Sequence, residues 1–175
     1  MAARSAAIEE HRHLTGLVGQ YVSEHRHGGW QSRGVCCYYR NMSQKKKIFI
    51  ADDEASLVEA MVDYFHTMGY EAASALDGNA ALAKIQAMKP DIVLLDILMP
   101  HKDGIEVLRT LKADAATAGI PVIMLTNVDT EARIAEALEL GCAHYLVKSN
   151  YGLRDLVGKV REILEQRSAA QNKKI

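Results

Sequence analysis

Short apolar segments alternate with amphipathic helical segments along most of this chain, and this alternation constrains its fold more than any other feature. The central segment is Ile92–Leu95, an uninterrupted apolar run typical of a strand buried on both faces of a parallel sheet. Four further strands are predicted at Ile48–Ala51, Tyr70–Ala75, Pro121–Leu125 and His144–Val147. Because a helical segment follows each strand, we predict an α/β fold, a doubly wound five-stranded parallel sheet with helices on both faces.

Five helices are predicted from apolar residues at i, i+3 and i+4 spacing and from residues that begin or end helices. Their approximate bounds are 54–68, 77–88, 105–113, 130–140 and 153–165. Asp77 is expected to cap the second helix, and Gly69 and Gly141 to end the first and fourth. The polar tail Ser168–Ile175 is expected to fray.

The composition excludes several classes of protein. The chain has 175 residues, 49% of them hydrophobic and 25% charged, which is enough for one domain with a full core and an additional segment. A formal net charge of -1 gives no overall attraction to nucleic acid or to a membrane surface. Three cysteines make no disulfide framework, and no apolar run resembles a membrane span or a secretory signal. We therefore expect a cytoplasmic protein.

The N-terminal residues 1–43 differ from the rest of the chain. They contain the single tryptophan, Trp30, and no lysine. We interpret them as a poorly ordered extension that precedes a domain at 44–167 and a frayed tail at 168–175. A further hypothesis takes Met42 as the true start of the protein, because the change in composition falls just before it.

Two other features of this extension allow a structural interpretation. Residues 5–25 have the spacing of a weak amphipathic helix that is interrupted by glycines. His25, His27, Cys36 and Cys37 together suggest a zinc site. Adjacent cysteines cannot easily direct both sulfur atoms at one ion, so a flexible leader is the preferred interpretation.

Polar side chains stand where four of the predicted strands end. Asp52 and Asp53 follow the first strand, Asp96 the third, Thr126 the fourth and Lys148 the fifth. Each residue alone could cap a turn or remain in solvent, but neighbouring parallel strands would bring all five to one edge of the sheet. Crowded carboxylates raise one another's pKa unless a cation intervenes, and a cluster of oxygen ligands suits Mg²⁺. With a lysine and a hydroxyl nearby, these groups are the components of phosphoryl transfer.

The segment Lys45–Glu165 resembles the receiver domain of two-component response regulators. The motifs that carry the resemblance are the acidic pair Asp52-Asp53, the D-x-x-M-P sequence at Asp96–Pro100, Thr126, and Lys148 with Tyr145 three positions before it. The separations are 43 residues from Asp53 to Asp96, 30 from Asp96 to Thr126 and 22 from Thr126 to Lys148, and they fit the family. The resemblance implies a flavodoxin-like sheet with strand order 2-1-3-4-5.

The resemblance also implies a role for each site residue. Asp96 would accept a phosphoryl group from a sensor histidine kinase or a phosphotransfer protein and form an acyl phosphate. Thr126 and Lys148 would bind the phosphoryl oxygens. The implied Mg²⁺ ligands are Asp53, Asp96, the backbone carbonyl of Leu98, and Asp52 through water.

A change of surface would carry the signal. Inward movement of Thr126 would let the ring of Tyr145 rotate from exposed to buried, which alters the face formed by the fourth helix, fifth strand and fifth helix. A downstream protein target would bind that face. The implied protein is bacterial, a monomer or a phosphorylation-dependent dimer, without direct contact to nucleic acid or membrane. Its only chemistry would be Mg²⁺-dependent self-phosphorylation and slow self-dephosphorylation, so it would not be an enzyme.

The chain after the fifth helix bears on the kind of output. Only about ten residues follow that helix, too few for a DNA-binding or enzymatic domain. We therefore expect a stand-alone receiver, with no DNA-binding domain of its own, that signals by contact with another protein.

Four positions depart from the pattern of the family. Ser149 replaces the usual proline after Lys148, and we expect a trans peptide there because a cis bond without proline costs about 2.5–4 kcal/mol. Asn127 replaces a small residue and would narrow access to the acyl phosphate. Leu98 and Val128 cannot hydrogen-bond an attacking water, which predicts slow self-hydrolysis and a long-lived phosphorylated form.

Other functions remain as alternatives. Aspartyl-phosphate hydrolases place a second aspartate two residues after the nucleophile, where this chain has Leu98. A pseudo-receiver that is silent to phosphorylation is disfavoured by the full set of site residues, although Ser149 and Asn127 leave some room for it. A flavoprotein of the same topology is disfavoured because no Gly-rich or Ser/Thr-rich phosphate loop follows the first strand.

Overall fold

A computed structural model describes residues 45–127 and 130–172 of the chain. The predicted helix at 5–25, the zinc hypothesis and the start at Met42 lie outside the described residues. In chain order the strands and α-helices are β1 (Lys47–Ala51), α1 (Ala55–Thr67), β2 (Glu71–Ala75), α2 (Gly78–Met88), β3 (Ile92–Leu95), α3 (Gly104–Ala113), β4 (Val122–Thr126), α4 (Glu131–Glu139), β5 (His144–Val147) and α5 (Leu153–Asn172), and a short 3-10 helix, Lys148–Asn150, lies between the last two. The predicted alternation of five strands and five helices is therefore confirmed.

The five strands form one parallel sheet in the order β2-β1-β3-β4-β5. The middle strand, β3, pairs with β1 and β4, and Leu95 at its end lies beside Ala51 on one side and Met124 on the other. Thr126 pairs with Val147 at the end of β5. The residues that follow these four strands consequently lie at the same edge of the sheet.

Alternating side chains of the strands form two separate cores. On one face Phe49, Val93 and Met124 pack against α2, α3 and α4. On the other face Ile50 and Leu94 pack against α1 and α5. Each such side chain contributes about 1.5–3 kcal/mol when it is fully buried, so the two cores hold the strand ends in place. No helix among the described residues is long and apolar enough to cross a membrane.

The last helix is longer than predicted. It was expected to end near Glu165 and to be followed by a frayed tail, but α5 continues to Asn172. Two contacts support the extra turns: Ser168 Oγ donates to the Leu164 carbonyl at 2.9 Å, and Arg167 Nη1 donates to the Asp91 carbonyl at 2.9 Å. One bond lies within the helix and the other joins the helix to the residue before β3. Residues 168–172, which were predicted to fray, are therefore helical.

Candidate functional site

Three carboxylates meet at the edge where β1 and β3 end. Asp52 and Asp53 follow β1, and Asp96 follows β3. Oxygen atoms of these three side chains all lie within 4.8 Å of one another. The predicted convergence of the carboxylates at one edge of the sheet is therefore confirmed.

The two neighbouring acids after β1 have opposite environments. Asp52 is only 1% exposed, whereas Asp53 is exposed. The Asp52 carboxylate accepts a hydrogen bond from the Glu54 amide at 3.0 Å. Burial raises the pKa of Asp52 above its ordinary value of 3.8, and the bonds from Lys148 and the Glu54 amide offset only part of that effect. Asp52 thus lies inside the cluster, and Asp53 lies at its entrance.

Asp96 is buried, and its side chain is held from several sides. Its Oδ1 accepts the Ile97 amide at 2.6 Å and, more weakly, the Leu98 amide at 3.4 Å. Its Oδ2 accepts from Lys148 Nζ at 2.7 Å. Sequence reasoning missed the two backbone amides as functional groups. The turn residues between the strand and Pro100 were the available signal, because an aspartate before a tight turn often binds the amides that follow it.

Lys148 connects two strand ends. Its Nζ lies 2.5 Å from Asp52 Oδ2 and 2.7 Å from Asp96 Oδ2, and its side chain is 12% exposed. Burial by itself would lower the pKa of Lys148, but the hydrogen bonds and charges of the two aspartates outweigh burial and raise that pKa above 10.5. The described peptide bonds include no cis bond, so the trans peptide predicted before Ser149 is confirmed.

The other predicted site residues take different positions around this cluster. Thr126 is the last residue of β4 and is fully buried, and Tyr145 on β5 is half-buried against the core under α2, α3 and α4. Leu98 is 56% exposed, and Asn127 is also exposed. Val128 lies outside the described residues. Thr126 therefore lies beside β5, the strand that precedes Lys148, while Leu98 lies at the exposed entrance of the acidic cluster.

A glycine lets α3 begin directly beside the phosphoacceptor candidate. A Cβ atom at Gly104 would lie 1.9 Å from the Asp96 carbonyl oxygen. The Gly104 amide donates to the Ile97 carbonyl at 2.9 Å. Asp103 caps the helix through the Glu106 amide in a reciprocal capping box. The start of α3 lies so close to the backbone of Asp96 that only glycine fits at position 104.

The donor set fits a divalent cation. All three side chains offer carboxylate oxygens, the ligands that Mg²⁺ uses in proteins together with several waters. The exposed Asp53 leaves one side of the cluster open to such waters. The acidic cluster is of the kind that holds a metal ion in receivers.

Comparison with known proteins identifies the family. The model of the family described as "Response regulator receiver domain" matches residues 48–161. The chain belongs to this family. The matched segment of the receiver holds β1 to β5, the acidic cluster and Lys148, so the resemblance inferred from the motifs is confirmed.

Full-length relatives share the receiver but are longer. The receiver is 34% identical over 124 residues to the DNA-binding response regulator MtrA of Mycobacterium tuberculosis, a match that covers 71% of this chain and 53% of MtrA. It is 38% identical over 121 residues to the phosphate regulon transcriptional regulatory protein PhoB of Pseudomonas aeruginosa, which covers 69% and 52% of the two chains. The chain thus spans about half the length of the curated relatives that it matches.

Solved structures of single receivers are similar over nearly their whole length. The CheY-like receiver domain protein of Methanospirillum hungatei has a TM-score of 0.69 and 27% identity, and the match covers 73% of this chain and 99% of that one. Chemotaxis protein CheY4 of Vibrio cholerae has a TM-score of 0.64 and 26% identity, with coverage of 68% and 98%. The flavodoxin-like α/β fold with strand order 2-1-3-4-5 is therefore established for this receiver.

Proposed function

We propose that this receiver accepts a phosphoryl group on Asp96 from the phosphohistidine of a sensor histidine kinase or a phosphotransfer protein. One observation carries the proposal: the Asp96 carboxylate lies within 4.8 Å of two other carboxylates and bonds to Lys148 at the edge where the middle strand ends. A buried acceptor, a cation-binding cluster and a lysine in one place are the components that phosphoryl transfer requires.

The reaction proceeds by direct displacement at phosphorus. A carboxylate oxygen of Asp96 attacks, the bond between phosphorus and the donor imidazole nitrogen breaks, and its electron pair stays on that nitrogen. The product is an acyl phosphate on Asp96. The Ile97 amide holds the attacking carboxylate in one orientation. Lys148 turns from its aspartate partners to the phosphoryl oxygens, and the Thr126 hydroxyl binds a second oxygen.

The acidic cluster would hold a metal ion during this transfer. Mg²⁺ would be held by Asp53, Asp96 and the Leu98 carbonyl, with Asp52 acting through water. When bound, it neutralises part of the negative charge that the carboxylates and the phosphoryl group bring together. The buried Asp52 supports this assignment, because its raised pKa reflects a charge that lacks full compensation from the protein.

The output of the receiver is a change of its surface. Thr126 moves toward the phosphoryl group, and Tyr145 then rotates inward and alters the face of α4, β5 and α5 for a downstream protein target. The packing of α4 supports this role, because Ala137 is its only fully buried residue. A helix with so few buried contacts can shift at a small cost in free energy. The receiver acts as a monomer or a phosphorylation-dependent dimer.

The phosphorylated form decays slowly and without an enzyme-like turnover. Leu98, exposed at the entrance, offers no hydrogen bond to an attacking water. Water therefore lacks the orientation that a general base or a polar side chain would provide. The receiver is consequently a phosphoacceptor and not a hydrolase.

The test uses a small acyl phosphate as donor. The 175-residue chain is incubated with the donor and Mg²⁺, and its intact mass is measured with and without the metal. We expect one phosphoryl group on the wild type and none on Asp96→Asn. Asp63→Asn removes an exposed carboxylate on α1 and should behave as the wild type. Equal uptake by Asp96→Asn, or no uptake by the wild type, would overturn the proposal.

A further inference from the structure

Lysines are concentrated at the end of the sheet opposite to Asp96. Lys45, Lys46 and Lys47 are consecutive and lead into β1, while Lys89 directly follows α2. A hollow of about 330 Å³ opens between these two segments. The residues that line it are Lys45, Lys46, Lys47, Met88, Lys89 and Asp91. Four lysines and one aspartate thus line a single concavity.

The one carboxylate in the hollow is already engaged. Asp91 Oδ1 accepts from Lys46 Nζ at 2.9 Å, and Asp91 Oδ2 accepts from the Lys47 amide at 2.9 Å. Within the part of the chain that the structure describes, the side chains of Lys45, Lys47 and Lys89 form no ion pair. Water and salt screen their mutual repulsion, and an anion bound between them would reduce it further. The hollow therefore has an excess of positive charge.

The backbone of Lys89 fixes where α2 ends beside the hollow. Lys89 has φ 49° and ψ 66°, in the left-handed region. This conformation costs a residue with a side chain about 1–2 kcal/mol, and glycine or asparagine adopts it more easily. Helices commonly end at a residue in this conformation, and Lys89 is the C-cap of α2. A lysine here places an ammonium group at the hollow despite that cost.

A second hollow of about 390 Å³ lies at the same end of the sheet on the side of α5, and Lys46 lines both hollows. Its lining combines charged and apolar residues: Lys46, Tyr70, Arg161, Leu164, Glu165 and Ser168. Tyr70 and Leu164 offer an apolar contact, and Lys46 and Arg161 carry positive charge beside it. The second hollow thus suits an apolar side chain that lies beside acidic residues.

We infer that the two hollows together bind an acidic peptide segment of a partner protein. Carboxylates of that segment pair with Lys45, Lys47 and Lys89, and one of its apolar or aromatic side chains packs on Tyr70 and Leu164. The charge of the whole chain, -1, shows that the patch is local and not the result of a generally basic protein. A nucleic acid is the less suitable ligand, because its binding sites follow a phosphate backbone along a continuous basic groove.

The test measures fluorescence anisotropy of a labelled peptide in which glutamates flank one phenylalanine, with the 175-residue chain. A second peptide carries glutamine in place of each glutamate. We expect the glutamate peptide to bind and its affinity to fall as salt is added. The glutamine peptide should bind at least about tenfold more weakly. The double variant Lys45→Gln/Lys89→Asn should lose about tenfold in affinity. Asparagine is chosen because it tolerates the backbone of residue 89, so the fold is preserved.

The matched control removes two charges elsewhere. Lys84→Gln/Lys159→Gln changes lysines outside both hollows and should keep the affinity of the wild type. Equal affinities of the two double variants would overturn the inference, as would equal binding of the two peptides. Tighter binding of a single-stranded oligonucleotide of the same charge, at the same salt concentration, would also overturn it in favour of nucleic acid.

Discussion

Lys148 and Asp96 are joined across the sheet by a contact of 2.7 Å between Nζ and Oδ2, although they follow strands that are not neighbours. The same ammonium group lies 2.5 Å from Asp52 Oδ2. One lysine therefore neutralises charge on two buried acids that belong to β1 and β3. The stability of the site and the anion binding proposed above therefore depend on the same residue.

Removal of this lysine should destabilise the protein. Lys148→Met leaves Asp52 and Asp96 buried without their cation, so we expect the free energy of unfolding to fall by about 3 kcal/mol. The measurement is urea unfolding near neutral pH in the presence of a chelator. Lys84→Met, at an exposed lysine of α2, should change stability by less than about 0.5 kcal/mol. Mg²⁺ should stabilise Lys148→Met more than the wild type, and a variant as stable as the wild type would contradict this account.

The same ion pairs predict an effect of alkaline pH. Because the pKa of Lys148 is raised above 10.5 in the folded protein, its stabilising contribution is complete below 10.5 and is lost as the pH rises through the higher folded value. The difference in unfolding free energy between wild type and Lys148→Met should therefore shrink above pH 10.5. Unfolding curves of both proteins at a series of pH values provide the check, and a constant difference would speak against it.

A methyl group at residue 104 should disturb the acceptor. The Cβ of Gly104→Ala would meet the Asp96 carbonyl at 1.9 Å, so the backbone must shift. We expect a loss of about 3 kcal/mol in the free energy of unfolding and slower uptake of phosphoryl groups. Gly158→Ala is the control, since the residue lies in α5 and no atom beyond its chain neighbours and the nearby backbone of that helix lies within 4 Å of the added Cβ. It should gain about 0.5–1 kcal/mol, and an equal response of both variants would refute the steric argument.

The lifetime of the acyl phosphate should depend on residue 98. Leu98→Asn places a hydrogen-bonding side chain at the entrance of the site, where it can orient a water for attack on phosphorus. We expect the half-life, followed by intact mass after removal of the donor, to shorten severalfold. Leu138→Asn is the matched control, because Leu138 is exposed to a similar degree on α4. A wild-type half-life of seconds without any phosphatase would show that the reasoning fails.

The start of α3 should contribute to stability through Asp103. This residue caps the helix and pairs with Arg133 of α4 at 3.0 Å, so Asp103→Ala should cost about 1–2 kcal/mol. Arg133→Ala should cost less than about 1 kcal/mol, and a double-mutant cycle gives the coupling between them. No coupling in the cycle would mean that the contact does not stabilise the protein.

Acid titration offers a second readout of Asp103. Partial burial acts to raise its pKa, but the Glu106 amide and Arg133 outweigh burial and hold the pKa below 3.8. The resulting stabilisation is present above pH 3.8 and is lost as the pH falls through the lower folded value. The difference in unfolding free energy between the wild type and Asp103→Ala should therefore shrink as the pH falls below 3.8.

Much of this architecture could be predicted because it depends on local pattern. Apolar runs of four or five residues, helical spacing and strand ends sufficed to bring Asp52, Asp53 and Asp96 together. The pattern could not show that Asp52 is buried and Asp53 exposed, because that depends on the angle at which α1 leaves the sheet. The contact between Gly104 and Asp96 was also hidden, since it arises from packing between a helix and a strand end. The extension of α5 depends on a bond from Arg167 to a distant carbonyl.

The central place of β3 has a consequence for repeated use of the protein. This strand is hydrogen-bonded on both sides and buried on both faces, whereas β5, within residues 45–127 and 130–172, pairs with β4 alone. Displacing the backbone of β5 therefore costs less free energy than displacing that of β3. We expect the backbone around Asp96 to keep its conformation through each cycle of phosphorylation and dephosphorylation. The receiver then returns to the same starting geometry and responds identically to the next signal.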